Sequence, residues 1–133
     1  MRGVIADTGP LYAAYDKSDR LHARAVQQLA ILNQAGIAVI VPYPVLLEAH
    51  SLILKRLGIP AAYRLIEEIT QGADLINLTI SDYQQAEQLL KRFPDQAITL
   101  FDASTSVLSN RLHLPVWTYD HHFDIMKTAV WRD

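Results

Sequence analysis

Ile37-Ala38-Val39-Ile40-Val41, stopped by Pro42 and followed by a helical run from about Tyr43 to Leu57, decides how this chain folds. Five apolar residues in succession leave neither face of a strand to solvent, so both faces must be covered. Gly58 and Pro60 then punctuate the helical run. The same strand-then-helix rhythm extends in both directions. Upstream, Val4-Ile5-Ala6 is a short apolar strand ending at Asp7, and Thr8-Gly9-Pro10 turns the chain. Ser18 or Asp19 caps a helix to about Gln34, with Leu21, Ala25, Leu29 and Leu32 at helical spacing and Gly36 at its end. Downstream, Pro60 suits the first turn of a helix to about Gln71, and Leu75-Ile76-Asn77-Leu78 is a strand. Thr79 or Ser81 caps a helix to about Phe93, and another spans about Leu100 to Leu112. Val116-Trp117-Thr118-Tyr119 is a strand ending at Asp120, and Ala129-Val130-Trp131 is a last, short edge strand. Doubly apolar strands separated by helices predict the α/β class: a three-layer α/β/α domain with a central, mostly parallel sheet. With no linker, repeat or low-complexity tract, residues 1–133 read as one domain.

Composition narrows the function classes. A chain of 133 residues, 50% apolar and 20% charged, buries a substantial core and is not disordered as a whole. The absence of cysteine excludes disulfide scaffolds, thiolate metal sites and cysteine nucleophiles. Twelve Lys and Arg face fourteen Asp and Glu, for a net charge of −2, so nucleic acid would need a local basic face. The apolar-rich stretch from Ile37 to Leu57 is broken by Pro42, Pro44, Glu48 and His50, so no membrane helix is predicted there. The N-terminal apolar run is too short for a signal peptide, and a cytoplasmic protein is expected.

Most acids read as solvated or as caps, among them Glu67, Glu68, Asp82, Glu87 and Asp95. Four do not. Asp7 and Asp120 each end a strand, and ligands of open parallel sheets bind outside the carboxyl ends of the strands. Glu48 lies within a helix that is apolar nearly all round, so burial is expected and a partner or ion is required. Asp102 follows Thr99-Leu100-Phe101 at a helix start. Clustered carboxylates repel one another, and a bound cation makes such a cluster tolerable at neutral pH. All-oxygen ligation suits Mg²⁺ or Mn²⁺.

At these residues the sequence resembles the PIN-domain family, and within it the toxin ribonucleases of VapBC toxin–antitoxin pairs. The matching segments are Val4-Ile5-Ala6-Asp7-Thr8-Gly9-Pro10, Leu46-Leu47-Glu48-Ala49, Leu100-Phe101-Asp102-Ala103-Ser104 and Val116-Trp117-Thr118-Tyr119-Asp120-His121-His122-Phe123. They stand in family order and span nearly the whole chain; Asp16 and His22 also look like the family's opening. The resemblance implies Mg²⁺- or Mn²⁺-dependent cleavage of RNA phosphodiesters. It carries catalytic and metal-site roles onto Asp7, Glu48, Asp102 and Asp120, with Asp124 as the alternative last acid. Gly9-Pro10 departs from the family's polar residue and leaves Thr8 as the nearby hydroxyl. It further implies a cognate antitoxin and a homodimer, with the helices from Tyr43 to Leu57 and Ile59 to Ile69 as candidate grooves.

Two other readings stand beside the nuclease. A phospho-receiver-like switch on a doubly wound sheet also gathers acids at strand ends. It wants paired acids after the first strand, where Asp7 stands alone. A non-catalytic PIN-like interaction domain has no need of all four acids. The tandem His121-His122 reads as exposed turn histidines, since successive side chains diverge. Lys55, Arg56, Arg92 and Arg111 are the phosphate-contact candidates, against a reading as solvated helix ends, and Trp117 and Trp131 read as packing.

Overall fold

A computed structural model describes residues 2–133. Its sheet consists of β1 (Gly3–Ala6), β2 (Ala38–Pro42), β3 (Asp74–Ile76) and β4 (Val116–Trp117), in the order β3-β2-β1-β4. Every pairing is parallel; Val4 sits opposite Val39, Ile5 opposite Val116, and Val41 opposite Leu75. All four residues of β1 are buried, as a central strand apolar on both faces requires. The helices are α1 (Thr8–Tyr15), α2 (His22–Gln34), α3 (Tyr43–Leu57), α4 (Ile59–Gly72), α5 (Ile80–Leu90), α6 (Leu100–Leu112) and α7 (His122–Ile125).

Alternation along β1 builds the two cores. Val4 and Ala6 join Leu32, Val45, Ile53 and Leu65 in the layer made by α1 to α4. Ile5 points the other way, onto Leu78 and Leu108, beside a cluster of Ala86, Val107, Val116 and Phe123 from α5, α6, α7 and β4. The predicted three-layer architecture is therefore present. The chain grows from β1 to β2 and β3 on one side and returns with β4 on the other. The β1/β4 seam is thus the topological switch point, where a parallel sheet opens a crevice.

Several expectations need correction. Thr8-Gly9-Pro10 is not a turn but the start of α1, because Pro10 sits in the first turn, where its missing N–H costs nothing. Ser18 and Asp19 do not cap α2, which begins at His22. They shape the preceding turn: Asp16 accepts bonds from the Ser18 N–H and hydroxyl, and Asp19 accepts from the Leu21 N–H. The last strand keeps two residues, and Val130 adds only a single bridge to Val116.

The largest correction concerns α3. Apolar α3 buries only the stripe Val45, Leu46, Ala49 and Ile53, leaving Leu47 67% exposed and Glu48 exposed beside it. Hydroxyl-rich α6 is buried continuously from Asp102 to Ser109. Its small side chains satisfy themselves: Ser104 donates to the Phe101 carbonyl, Ser109 to the Leu114 carbonyl, and Ser106 pairs with Thr128 at 2.6 Å. Among the described residues, no helix is long and apolar enough to cross a membrane.

Candidate metal centre

Each candidate acid is delivered by a different element. Asp7 leaves β1 in extended backbone (φ −84°, ψ 164°) and is the residue before α1, so its carboxylate projects from the strand end. Asp102 stands in the first turn of α6, with its N–H bonded to Thr99 Oγ1 at 3.0 Å. The same spacing occurs at Thr79 and Asp82, where the Asp82 carboxylate returns a bond to the Thr79 N–H and closes a capping box. Among the described residues, Asp102 makes no such return bond, and its carboxylate lines the crevice instead.

Asp120 is fixed from both sides. Its N–H donates to Thr118 Oγ1 at 3.0 Å, and its Oδ1 accepts from the His122 N–H at 2.9 Å. The Thr118 hydroxyl in turn donates to Asp7 Oδ2 at 2.7 Å, so one threonine ties the two strand-end acids together. Glu48 reaches the same crevice from the exposed flank of α3, next to Leu52. The crevice encloses about 630 Å³ and collects Asp7, Glu48, Asp102 and Asp120 together with Thr8 and Tyr119.

The expectation that Glu48 is buried is wrong, because the core-facing stripe of α3 lies to one side of it. Asp124 is not brought in; it lies exposed on α7, held by both its oxygens to Arg132 at 3.0 Å. Thr8 is brought in, buried and with its hydroxyl unpartnered.

Burial sets the electrostatics. It pushes the Asp102 carboxyl up to about 7, with Asp7 and Asp120 adding like-charge repulsion. It also raises Asp7, against the bonds from Thr118 and the Thr8 backbone, and Asp120 and Glu48 add to the rise. Among the described residues, no Lys or Arg lines the crevice. Three of the sequence's four cation candidates are engaged elsewhere: Arg111 grips Asp82 with two bonds of 2.9 Å, Arg56 covers the Tyr12 ring at 5.0 Å, and Arg92 covers Phe93 at 5.9 Å. Asp82 is therefore a cap, as expected, but a buried and paired one rather than a solvated one.

Such a site fits a divalent cation. Four carboxylates face one crevice without a fixed counter-charge, and the buried Thr8 Oγ1 in its lining has no hydrogen-bond partner; His122 Nδ1, behind the lining and next to Asp102 and Asp120, is buried and unpartnered too. Thr118 is not singled out by the sequence, although it precedes Asp120 by two and so shares its side of an extended strand; His122 is, but as an exposed turn histidine. Of the tandem histidines, His121 is exposed as expected and His122 is not, its side chain being 19% exposed. Trp117 is fully buried, with its indole N–H on Gln28 Oε1, which agrees with packing. Asp16 and His22 serve structure: Asp16 receives the Tyr12 hydroxyl, and His22 Nδ1 lies 2.7 Å from the Ala13 carbonyl.

Comparison with known proteins follows the same lines. Residues 4–128 match the family model described as PIN domain. Ribonuclease VapC26 of Mycobacterium tuberculosis is 32% identical over 127 residues, which cover 93% of this chain and 92% of that protein. The crystal structure of Mycobacterium tuberculosis VapC20, a Sarcin-Ricin loop cleaving toxin, shares the fold at a TM-score of 0.86 and 19% identity, covering 98% of this chain and 100% of that one. VapBC2 from Rickettsia felis, solved bound to a DNA fragment from its promoter, matches at a TM-score of 0.77 and 11% identity, over 97% of this chain and 96% of that one.

Proposed function

The chain belongs to the PIN domain family, and from that premise we propose that it is a Mg²⁺- or Mn²⁺-dependent endoribonuclease, the toxin of a VapBC-type pair. The observation that carries this reading is the meeting of Asp7, Asp102 and Asp120 at the β1/β4 switch point, with Glu48 on the opposite flank. The 32%-identical relative, named a ribonuclease, supports the substrate class.

Asp7, Asp102 and Asp120 would hold the ion through carboxylate oxygens. When bound, a divalent cation offsets phosphodiester charge and makes a coordinated water a stronger nucleophile. Thr118 fixes the Asp7 oxygen through its 2.7 Å bond and restrains Asp120 through the N–H bond, so both carboxylates arrive oriented. Glu48, exposed on the rim, either completes the ligand set or takes the proton from the attacking water. Hydrolysis forms one P–O bond to that water and breaks another, and the leaving oxygen gains a proton. Beside the crevice, Arg24 lies 4.8 Å from the centre of the Tyr119 ring, a cation placed for the flanking phosphate of a strand.

A protein partner fits the second expectation. Leu47, Ile59 and Tyr63, at 67%, 62% and 66% exposure, leave apolar surface on α3 and α4, as expected of a homodimer or antitoxin contact. The deciding experiment incubates structured RNA with the protein in Mn²⁺, Mg²⁺ or EDTA. Cleavage is expected only with metal, and it should vanish in Asp7→Asn with the fold retained. Undiminished cleavage by that folded variant would overturn the assignment.

A further inference from the structure

We propose that His122 supplies a nitrogen ligand to the ion at this centre and thereby biases it toward Mn²⁺ over Mg²⁺. The inference rests on the metal-dependent reading above and adds a donor that the four acids do not provide.

Its geometry is specific. His122 Nδ1 is buried and has no hydrogen-bond partner. It lies 3.4 Å from Asp120 Oδ1 and 3.8 Å from Asp102 Oδ2, facing two of the candidate acids at once. Neighbouring donors around a six-coordinate ion with bonds near 2.1 Å stand about 3 Å apart, so closure by less than an ångström lets Nδ1 share an ion with either oxygen. The backbone is already committed to this placement, because the His122 N–H donates to Asp120 Oδ1 at 2.9 Å. The ring is braced from outside by His121, with ring centroids 4.5 Å apart. His121 is a poorer candidate: its side chain is 77% exposed, and its Nδ1 lies 3.7 Å from Asp120 Oδ1.

Ion preference follows from donor chemistry. Mg²⁺ binds hard oxygen ligands and parts reluctantly with water, whereas an imidazole nitrogen suits ions further along the first transition row. A carboxylate crevice with one buried imidazole therefore distinguishes two ions that an all-oxygen site treats more alike. A histidine that only offset the charge of Asp102 and Asp120 would give no such preference.

The test uses the full chain loaded with Mn²⁺ in the absence of RNA. Pulsed electron paramagnetic resonance should show ¹⁴N coupling to the bound Mn²⁺ in wild type and in His121→Gln, and its loss in His122→Gln. Calorimetry should show the ratio of Mn²⁺ to Mg²⁺ affinity falling roughly tenfold in His122→Gln, mostly through Mn²⁺. Wild-type protein that binds Mn²⁺ without nitrogen coupling overturns the proposal, with no variant required. Loss of coupling in His121→Gln rather than His122→Gln also overturns it. A wild-type chain that takes up no Mn²⁺ overturns the nuclease reading itself, and the ligand assignment with it.

Discussion

The Thr118 hydroxyl donates to Asp7 Oδ2 at 2.7 Å across a sequence separation of 111 residues. That bond works against the burial that raises the Asp7 carboxyl. Thr118→Val keeps the shape but removes both the donor to Asp7 and the acceptor of the Asp120 N–H, so Asp7 should titrate still higher and Mn²⁺ affinity should fall on the order of tenfold or more. Calorimetry of Mn²⁺ binding checks it. An unchanged affinity would mean that Asp7 is not held for an ion.

Glu48 gives a separable outcome because it is exposed. Glu48→Gln should change stability by less than about 0.5 kcal/mol, as surface substitutions do, while cutting metal-dependent RNA cleavage by on the order of a hundredfold. Melting curves and cleavage rates on the same preparation decide it. A large loss of stability would mean that the side chain serves packing.

Repulsion among the acids predicts a stability order that metal reverses. In EDTA, Asp102→Asn should be more stable than wild type by about 1 kcal/mol, since one of several facing charges is gone. With Mn²⁺ in excess the wild type should melt higher, because ion binding stabilises the native state in proportion to affinity. Glu87→Gln, away from the crevice, should show neither effect.

The same acid sets a pH dependence. Asp102 titrates at about 7 in the folded chain and near 4 when unfolded, so between those values the folded state binds more protons. Stability in EDTA should therefore fall as pH rises from about 4 to 7 and level off above. Asp102→Asn should flatten most of that slope, with Asp7 leaving a residue of the same sign. Asp16, held low by its bonds from Ser18 and Tyr12, acts in the opposite direction and only at more acidic pH. Thermal melts across pH, with and without the substitution, read the slope directly.

Strong local signals made much of this architecture legible. Pro42 and Gly58 bracket α3, which falls where its punctuation puts it, and α6 spans the expected Leu100 to Leu112. Asp7 and Asp120 were legible because a strand-end acid needs only the strand to be found. What escaped depends on distant partners. Asp82 reads as a surface cap until Arg111, 29 residues on, closes over it. Glu48 reads as buried because hydropathy does not say which part of an apolar helix faces the core. The helix at Thr8-Gly9-Pro10 was hidden by residues that also make turns.

The strand order β3-β2-β1-β4 has a consequence for how the chain comes alive during synthesis. Asp7 and Glu48 belong to the part that can assemble first, around β1, β2 and β3, whereas Thr118 and Asp120 arrive only when β4 docks against β1. Pairing over so long a separation is a late and slow step, since loop closure must be met before the contact rewards it. A polypeptide grown only as far as β3 therefore carries half a reactive crevice, and the ability to cut is conferred when β4 docks.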